Sequence, residues 1–115
     1  MRTRVVRTFD FEAAHVLPWH PGKCARLHGH SYRLEVTVEG PVGEDGMVMD
    51  FADLGRIVHD EVIAHWDHQH LNDFFENPTA EILAAAAWKR LEATDLGLVR
   101  LRLWETANAA VEIER

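Results

Sequence analysis

The chain contains one cysteine, Cys24, in 115 residues. A single thiol excludes an intrachain disulfide framework and any metal site built from cysteines alone. No stretch approaches the roughly 18 apolar residues that a membrane-spanning helix needs, and no apolar run follows the first arginines as it would in a secretory leader. Basic residues are the minority, with 12 Lys and Arg against 19 Asp and Glu, for a net charge of −7. That balance argues against a nucleic-acid surface as the default function. Internal repeats, linkers and low-complexity tracts are also missing. Residues 1–115 are therefore expected to form one domain, and the expected compartment is the cytoplasm.

Apolar residues make up 47% of the chain and include four Trp and five Phe, which marks a folded globule rather than a disordered segment. The arginines are unevenly spread. Arg2, Arg4 and Arg7 crowd the start, and Lys23, Arg26 and Arg33 bracket a histidine motif. A local anionic ligand thus remains compatible with the acidic total. Histidine is abundant, at eight residues, so the question is which imidazoles are employed.

The patterning predicts an α+β fold. "RTRVVRTFDFEAAH" carries β-branched and aromatic residues suited to a strand, and Pro18, Pro21 and Gly22 mark the loop that follows. In "HSYRLEVTVEG", Tyr32, Leu34, Val36 and Val38 alternate with Arg33, Glu35, Thr37 and Glu39, the mark of a half-buried strand. After a Gly/Pro turn, "MVM" (Met47–Met49) suits a short returning strand. Asp50 is a plausible N-cap for a helix from Phe51 to about Trp66, with an apolar stripe of Phe51, Leu54, Val58 and Val62. "DHQHLNDFFENP" reads as an irregular connection. A second helix is expected from about Thr79 to Ala93, with Leu83, Ala84, Ala87, Trp88 and Leu91 on one side. "LVRLRLWE" and "AAVEIE" close the chain as two strands joined through Thr106–Ala109. Antiparallel pairing with both helices inserted mid-chain is the predicted architecture.

His28 and His30 are two apart at the entrance to a strand, so their side chains project from one face. His15 ends the preceding strand. If the two strands pair antiparallel, their adjoining ends meet and three imidazoles converge. Such a set suits zinc and leaves a fourth position open, as in catalytic sites. A His-Gly-His alone is more often a pair of ordinary polar histidines near a loop; the third histidine at the matching strand end shifts the balance toward metal. Cys24 has three readings: a small buried hydrophobe, a fourth ligand, or a thiolate favoured by Lys23 and Arg26 that acts as a base beside the metal. Asp67 and His68 follow the first helix, where the alternatives are a solvated helix end or loop residues with a function. Neighbouring residues on a helix do not face each other. A relay joining Asp67, His68 and Cys24 therefore needs irregular backbone or groups from different chains.

"FEAAH", "CARLHGHSY", "MVMDFADL", "WDHQHLND", "ENPTAE" and "WET" occur here in an order that resembles the 6-pyruvoyl-tetrahydropterin synthase family. The resemblance runs from about Phe9 to Thr106. Three residues between Cys24 and His28 look like the branch that makes 6-carboxy-5,6,7,8-tetrahydropterin, since pyruvoyl-forming members typically carry a longer spacer. The resemblance implies a zinc-dependent lyase that converts 7,8-dihydroneopterin triphosphate to carboxytetrahydropterin, releasing acetaldehyde and triphosphate, in the queuosine and deazapurine pathway. It implies His15, His28 and His30 as zinc ligands, Cys24 as the general base, and Asp67 and His68 as its proton relay. Glu105 would bind the pterin's amino group and ring N–H, and Thr79 and Glu81 would line the pterin pocket. Ala80 stands where relatives often have a hydroxyl residue. The implied fold is the tunnelling fold, a four-stranded antiparallel sheet with two helices on one face. Its implied assembly is a homohexamer, a dimer of trimers with active sites between subunits. A pyruvoyltetrahydropterin-type or sepiapterin-cleaving activity is the enzymatic alternative, and a pterin- or metal-binding module without catalysis is the other. Lys23 and Arg26 either attract the triphosphate or are solvated loop residues.

Overall fold

β1 (Arg4–His15) and β2 (His28–Glu39) are each 12 residues long. They pair antiparallel throughout, from Arg4 opposite Glu39 to His15 opposite His28. The computed structural model describes residues 1–115. β4 (Leu98–Thr106) pairs antiparallel with the far side of β2, and β5 (Ala109–Glu114) with β4. A further strand, β3 (Gln69–His70), runs parallel to β1 beside Ala13 and Ala14. The sheet order is β3-β1-β2-β4-β5.

Two expectations are corrected here. The sheet has five strands rather than four, because two residues of the "irregular" connection dock on β1. Conversely, Met47–Met49 forms no strand. β1 and β4 occupy the two sides of β2, so a returning segment finds no free edge there. Met47 instead closes a turn, its carbonyl accepting from Gly43 N–H at 2.9 Å and its own N–H donating to Asp45 at 3.0 Å.

The first helical rod begins with α1 (Phe51–Val58), whose N-cap Asp50 accepts from Ala52 N–H at 2.7 Å. It continues through a π turn (His59–Ile63) into α2 (Ala64–Trp66). Leu54, Val58, Val62 and Trp66 are all buried and recur every four residues. A four-residue step overshoots a 3.6-residue turn by roughly 40°, and the wider π turn takes up that drift. Phe51, expected on the apolar stripe, is instead 58% exposed. The second helix, α3 (Ala80–Glu92), is capped by Thr79, whose hydroxyl accepts from Ile82 N–H at 3.2 Å. Leu83, Ala84, Ala87 and Leu91 are fully buried, while Trp88 packs at the core's margin. The alanines let the helix lie close to the sheet.

Both helices cover one sheet face, where Phe11, Tyr32, Leu34, Val36, Leu101 and Leu103 enter a single apolar cluster with the helix residues. The opposite face is polar: Arg33 pairs with Asp10 at 2.9 Å, Ser31 donates to Glu12 at 2.8 Å, and Arg102 pairs with Glu112. No helix is long and apolar enough to cross a membrane.

Gly97 enters β4 where its carbonyl accepts from Glu39 N–H at 2.8 Å. A Cβ at this position would overlap the carbonyl oxygen of Glu39, which is backbone and cannot swing away. Gly55 has a softer obstruction, the mobile guanidinium of Arg7 that donates to Phe51 O. Gly97→Ala is therefore expected to cost about 1–3 kcal/mol, and Gly55→Ala less. Urea unfolding of the two variants checks this order.

Candidate metal and pterin site

The β1–β2 register places His15 opposite His28, and Ala13 opposite His30. All three histidines alternate with polar-face residues, so their rings enter the helix-covered side at the open end of the core. One ring nitrogen from each lies within 4.8 Å of the others. His15 is fully buried. The small Ala13 leaves the space that the His30 ring fills.

Hydrogen bonds then fix the tautomers of two rings. His15 Nδ1 lies 2.8 Å from Pro78 O, and His28 Nδ1 lies 2.6 Å from Arg26 O. A carbonyl only accepts, so both Nδ1 atoms carry the proton and both Nε2 atoms present lone pairs. Those two Nε2 atoms face each other at 3.0 Å. His30 Nε2 is buried, and Glu105 Oε1, though 3.3 Å away, lies out of hydrogen-bond alignment with it. Convergent lone pairs repel unless a cation sits between them. Two ligands of one tetrahedral zinc stand roughly 3.3 Å apart, close to the 3.0 Å between the His15 and His28 nitrogens. The trio could hold a metal ion, and its donor set suits one that prefers nitrogen.

Glu105, on β4, brings Oε1 to 3.3 Å from His30 Nε2. Burial pushes the His30 pKa down, partly offset by Glu105, while His15 and His28 push it further down. Burial raises the pKa of the Tyr32 phenol well above its ordinary range, and Glu105 adds to this. Tyr32 stacks on Phe11 at 4.9 Å and so joins the histidine row to the core.

The other expected residues are distributed. Cys24 lies in a short 3₁₀ turn (Lys23–Ala25), partly buried, and is outside the histidine cluster. Its carbonyl accepts from Leu17 N–H at 2.8 Å. Asp67 and His68 do face each other, with His68 Nδ1 2.9 Å from Asp67 Oδ1. The irregular backbone needed for this is present, since His68 has φ of 59°. The pair grips the peptide of Glu12: Glu12 N–H donates to Asp67 at 2.9 Å, and His68 N–H donates to Glu12 O at 2.6 Å. The Glu12 bond is the main cause that lowers the Asp67 pKa, and the bond from His68 adds to it. Within one chain these residues and Cys24 are thus anchored on opposite sides of His15 along β1. His68 borders a cavity of about 470 Å³ whose lining also includes Glu12, Ser31, His70 and the candidate ligand His30. Thr79 is engaged as the α3 cap, and Glu81 is an exposed acid in the first helical turn, where the helix dipole favours it.

Pro78 O, Arg26 O and the Glu12 peptide carry no side-chain signal, so no sequence pattern could reveal their roles. A link between Trp19 and Asn77, with the indole N–H donating at 2.9 Å, also ties the thiol-bearing loop to the segment before α3. Its sequence trace is only an asparagine before a proline.

A mostly antiparallel sheet with two helices on one face and a three-histidine cluster at its end that could hold a metal ion describes an α+β protein with a candidate metal site. The chain matches the family model described as 6-pyruvoyl tetrahydropterin synthase over residues 4–115. It belongs to that family. It is 44% identical over 106 residues to a putative 6-carboxy-5,6,7,8-tetrahydropterin synthase of Archaeoglobus fulgidus, covering 92% of this chain and 90% of the relative. A 6-carboxy-5,6,7,8-tetrahydropterin synthase of Synechocystis is 43% identical over 92% of this chain and 88% of its own. A dihydroneopterin monophosphate aldolase of Pyrococcus furiosus is 38% identical over 99% of both chains. Among solved structures, 6-pyruvoyl tetrahydropterin synthase of Caenorhabditis elegans superposes with a TM-score of 0.88 at 26% identity, covering 100% of this chain and 96% of that one.

The lowered His30 pKa carries a sign for stability. The unfolded imidazole takes up a proton near its ordinary pKa of about 6.5, whereas the folded one resists it. Stability from His30 is fully present above that value and is lost as pH falls through the lower folded pKa. The metal-free protein should therefore lose stability on acidification below about 6.5. His30→Asn should flatten that slope, as read from denaturation midpoints across pH.

Proposed function

We propose that this protein is a zinc-dependent carbon–oxygen lyase of the 6-carboxytetrahydropterin synthase type. Its substrate is 7,8-dihydroneopterin triphosphate; with water this gives 6-carboxy-5,6,7,8-tetrahydropterin, acetaldehyde and triphosphate. The observation that carries the reading is the convergence of three imidazole nitrogens beside the Glu105 carboxylate. Relatives bearing the carboxytetrahydropterin synthase name at over 40% identity support it.

His15, His28 and His30 would hold the zinc, which supplies Lewis acidity toward the hydroxyls of the substrate side chain. Glu105, acceptor-only when ionised, would take hydrogen bonds from the pterin amino group and ring N–H and so orient the ring. Cys24 would remove and return protons on that side chain, and Asp67 would hold His68 to relay them. Thr79 and Glu81 would line the pterin pocket. Lys23 and Arg26, both exposed on the thiol loop, would draw in the triphosphate.

The relay requires a second copy. Asp67 and His68 are fixed at Glu12, and Cys24 is fixed beyond His15, so a neighbouring chain would bring one group to the other. β5 has no partner on its outer side, and β1 is covered by β3 only at Ala13 and Ala14. Such open edges call for cover. Trp19 and Leu27, on the thiol loop, are 62% and 65% exposed. These features support a homohexamer with shared sites.

The Pyrococcus furiosus relative favours one second reading, aldol cleavage of a phosphorylated dihydroneopterin. Mass analysis of the zinc-loaded protein with dihydroneopterin triphosphate and, separately, dihydroneopterin monophosphate separates the two. Acetaldehyde and a carboxypterin are expected, whereas a hydroxymethylpterin with a two-carbon phosphorylated aldehyde would identify the aldolase. Cys24→Ala should lower turnover by about 10²-fold or more at unchanged zinc content; loss of zinc would make the thiol a ligand instead. Glu105→Gln should raise KM for the pterin while the metal stays bound.

A further inference from the structure

We infer that Asn72 is a positioning residue for His15: its side-chain amide clamps the peptide groups of Val16 and holds the end of β1 where His15 meets His28 and His30. The inference rests on the reading that the three histidines bind a metal ion.

β1 ends at His15, and at Val16 the chain leaves the sheet. Asn72 Oδ1 accepts from Val16 N–H at 2.9 Å, and Asn72 Nδ2 donates to Val16 O at 2.9 Å. A primary amide offers the same donor and acceptor as a peptide. With both bonds made, it acts as one more rung beside β1. β3 pairs Gln69 and His70 with Ala13 and Ala14, and two residues later the Asn72 amide takes over the work of backbone. The geometry admits few substitutes. Serine and threonine are too short to bridge both groups, aspartate lacks the donor, and glutamine adds a methylene.

His15 is thereby held from three directions. Its Cα is registered against His28, its ring donates to Pro78 O, and its C-terminal neighbour is locked by Asn72. Leu71, next to Asn72, is fully buried, which seats the turn that carries the clamp. If Val16 were released, His15 could swing on a frayed strand end and its Nε2 would leave the convergence point. Groups that orient a ligand from outside the ligand set commonly set metal affinity by about 10–100-fold.

A clamp that serves only the fold would lower thermal stability and leave metal binding alone. Zinc affinity, measured by competition with a chromophoric chelator, and the visible absorption of the cobalt(II) form distinguish the two roles. Circular dichroism ensures that only folded protein is compared. Asn72→Ala is expected to weaken zinc binding by about 10-fold and to change the cobalt spectrum. Asn72→Asp, which keeps the acceptor for Val16 N–H but sets an oxygen against Val16 O, should also weaken it. A folded variant with wild-type zinc affinity and spectrum would overturn the inference. The wild-type chain provides a test that does not depend on any variant folding. Coupling is reciprocal, so zinc should slow hydrogen exchange at the Val16 amide by about 10-fold. Equal rates with and without zinc would also overturn it. Wild-type protein that takes up no zinc would instead remove the metal reading beneath it.

Discussion

The structure depends on the register between β1 and β2. Twelve residue pairs run without interruption from Arg4–Glu39 to His15–His28. The same row that brings Phe9 to Leu34 and Phe11 to Tyr32 continues as Ala13–His30 and His15–His28. The apolar core and the candidate metal ligands are thus successive rungs of one ladder. A slip of one residue would turn the whole row to the other face. It would expose Phe11, Tyr32 and Leu34 and scatter the histidines at once. The ligands borrow their precision from the core: burial of the apolar rungs sets the register, and the register sets the imidazoles.

The electrostatics of the site follow from that burial. Bringing imidazoles into a core margin is unfavourable unless their polar atoms are satisfied. Two Nδ1 protons go to backbone carbonyls, Pro78 O and Arg26 O. What remains is the pair of Nε2 lone pairs of His15 and His28, which face each other at 3.0 Å. Burial favours the neutral His30 ring, with Glu105 opposing it in part, and favours the uncharged Tyr32 phenol. Glu105 is then the carboxylate that accompanies the trio. This is a small, cation-seeking region in a chain whose net charge of −7 is spread over other surfaces.

Much of this was legible in the sequence because it rests on side-chain pattern. Alternation along Tyr32–Glu39 declared a half-buried strand, and the histidines' positions at adjoining strand ends declared their convergence. The features that escaped are matters of backbone. Gln69 and His70 are too short a strand to show a period, and Met47–Met49 has strand-like residues but no edge to occupy. The π turn appears only as a four-residue recurrence from Leu54 to Trp66, which a regular helix would also tolerate over a shorter span. Phe51 has the composition of a core residue and lies at the helix start, where the rod has not yet reached the sheet. In the site, the carbonyls that receive the imidazole protons and the Glu12 peptide that Asp67 and His68 grip are backbone partners that any residue could supply. Asp67 and His68 stood out as polar loop residues after the first helix, and only the motif resemblance pointed to Glu105, which the structure places 3.3 Å from His30.

β1 and the two residues that follow it anchor all these groups. Asp67 and His68 hold it at Glu12, the ligand His15 ends it, Asn72 takes Val16, and the Cys24 carbonyl takes Leu17 N–H. Glu12 stands three residues before His15, and a strand advances about 3.3 Å per residue. The Asp67–His68 grip therefore lies about 10 Å upstream of the ligand, while the thiol loop is tied on beyond it. A rigid strand cannot fold back to close that gap, and loosening it would cost the register that aligns the histidines. In the proposed reaction the relay and the thiol must nonetheless meet. In that proposal the strand stays straight and another copy supplies the missing half, which would turn the open edges of β1 and β5 into the means of assembly. A shared active site would then follow from building the candidate metal cradle on a continuous antiparallel pair.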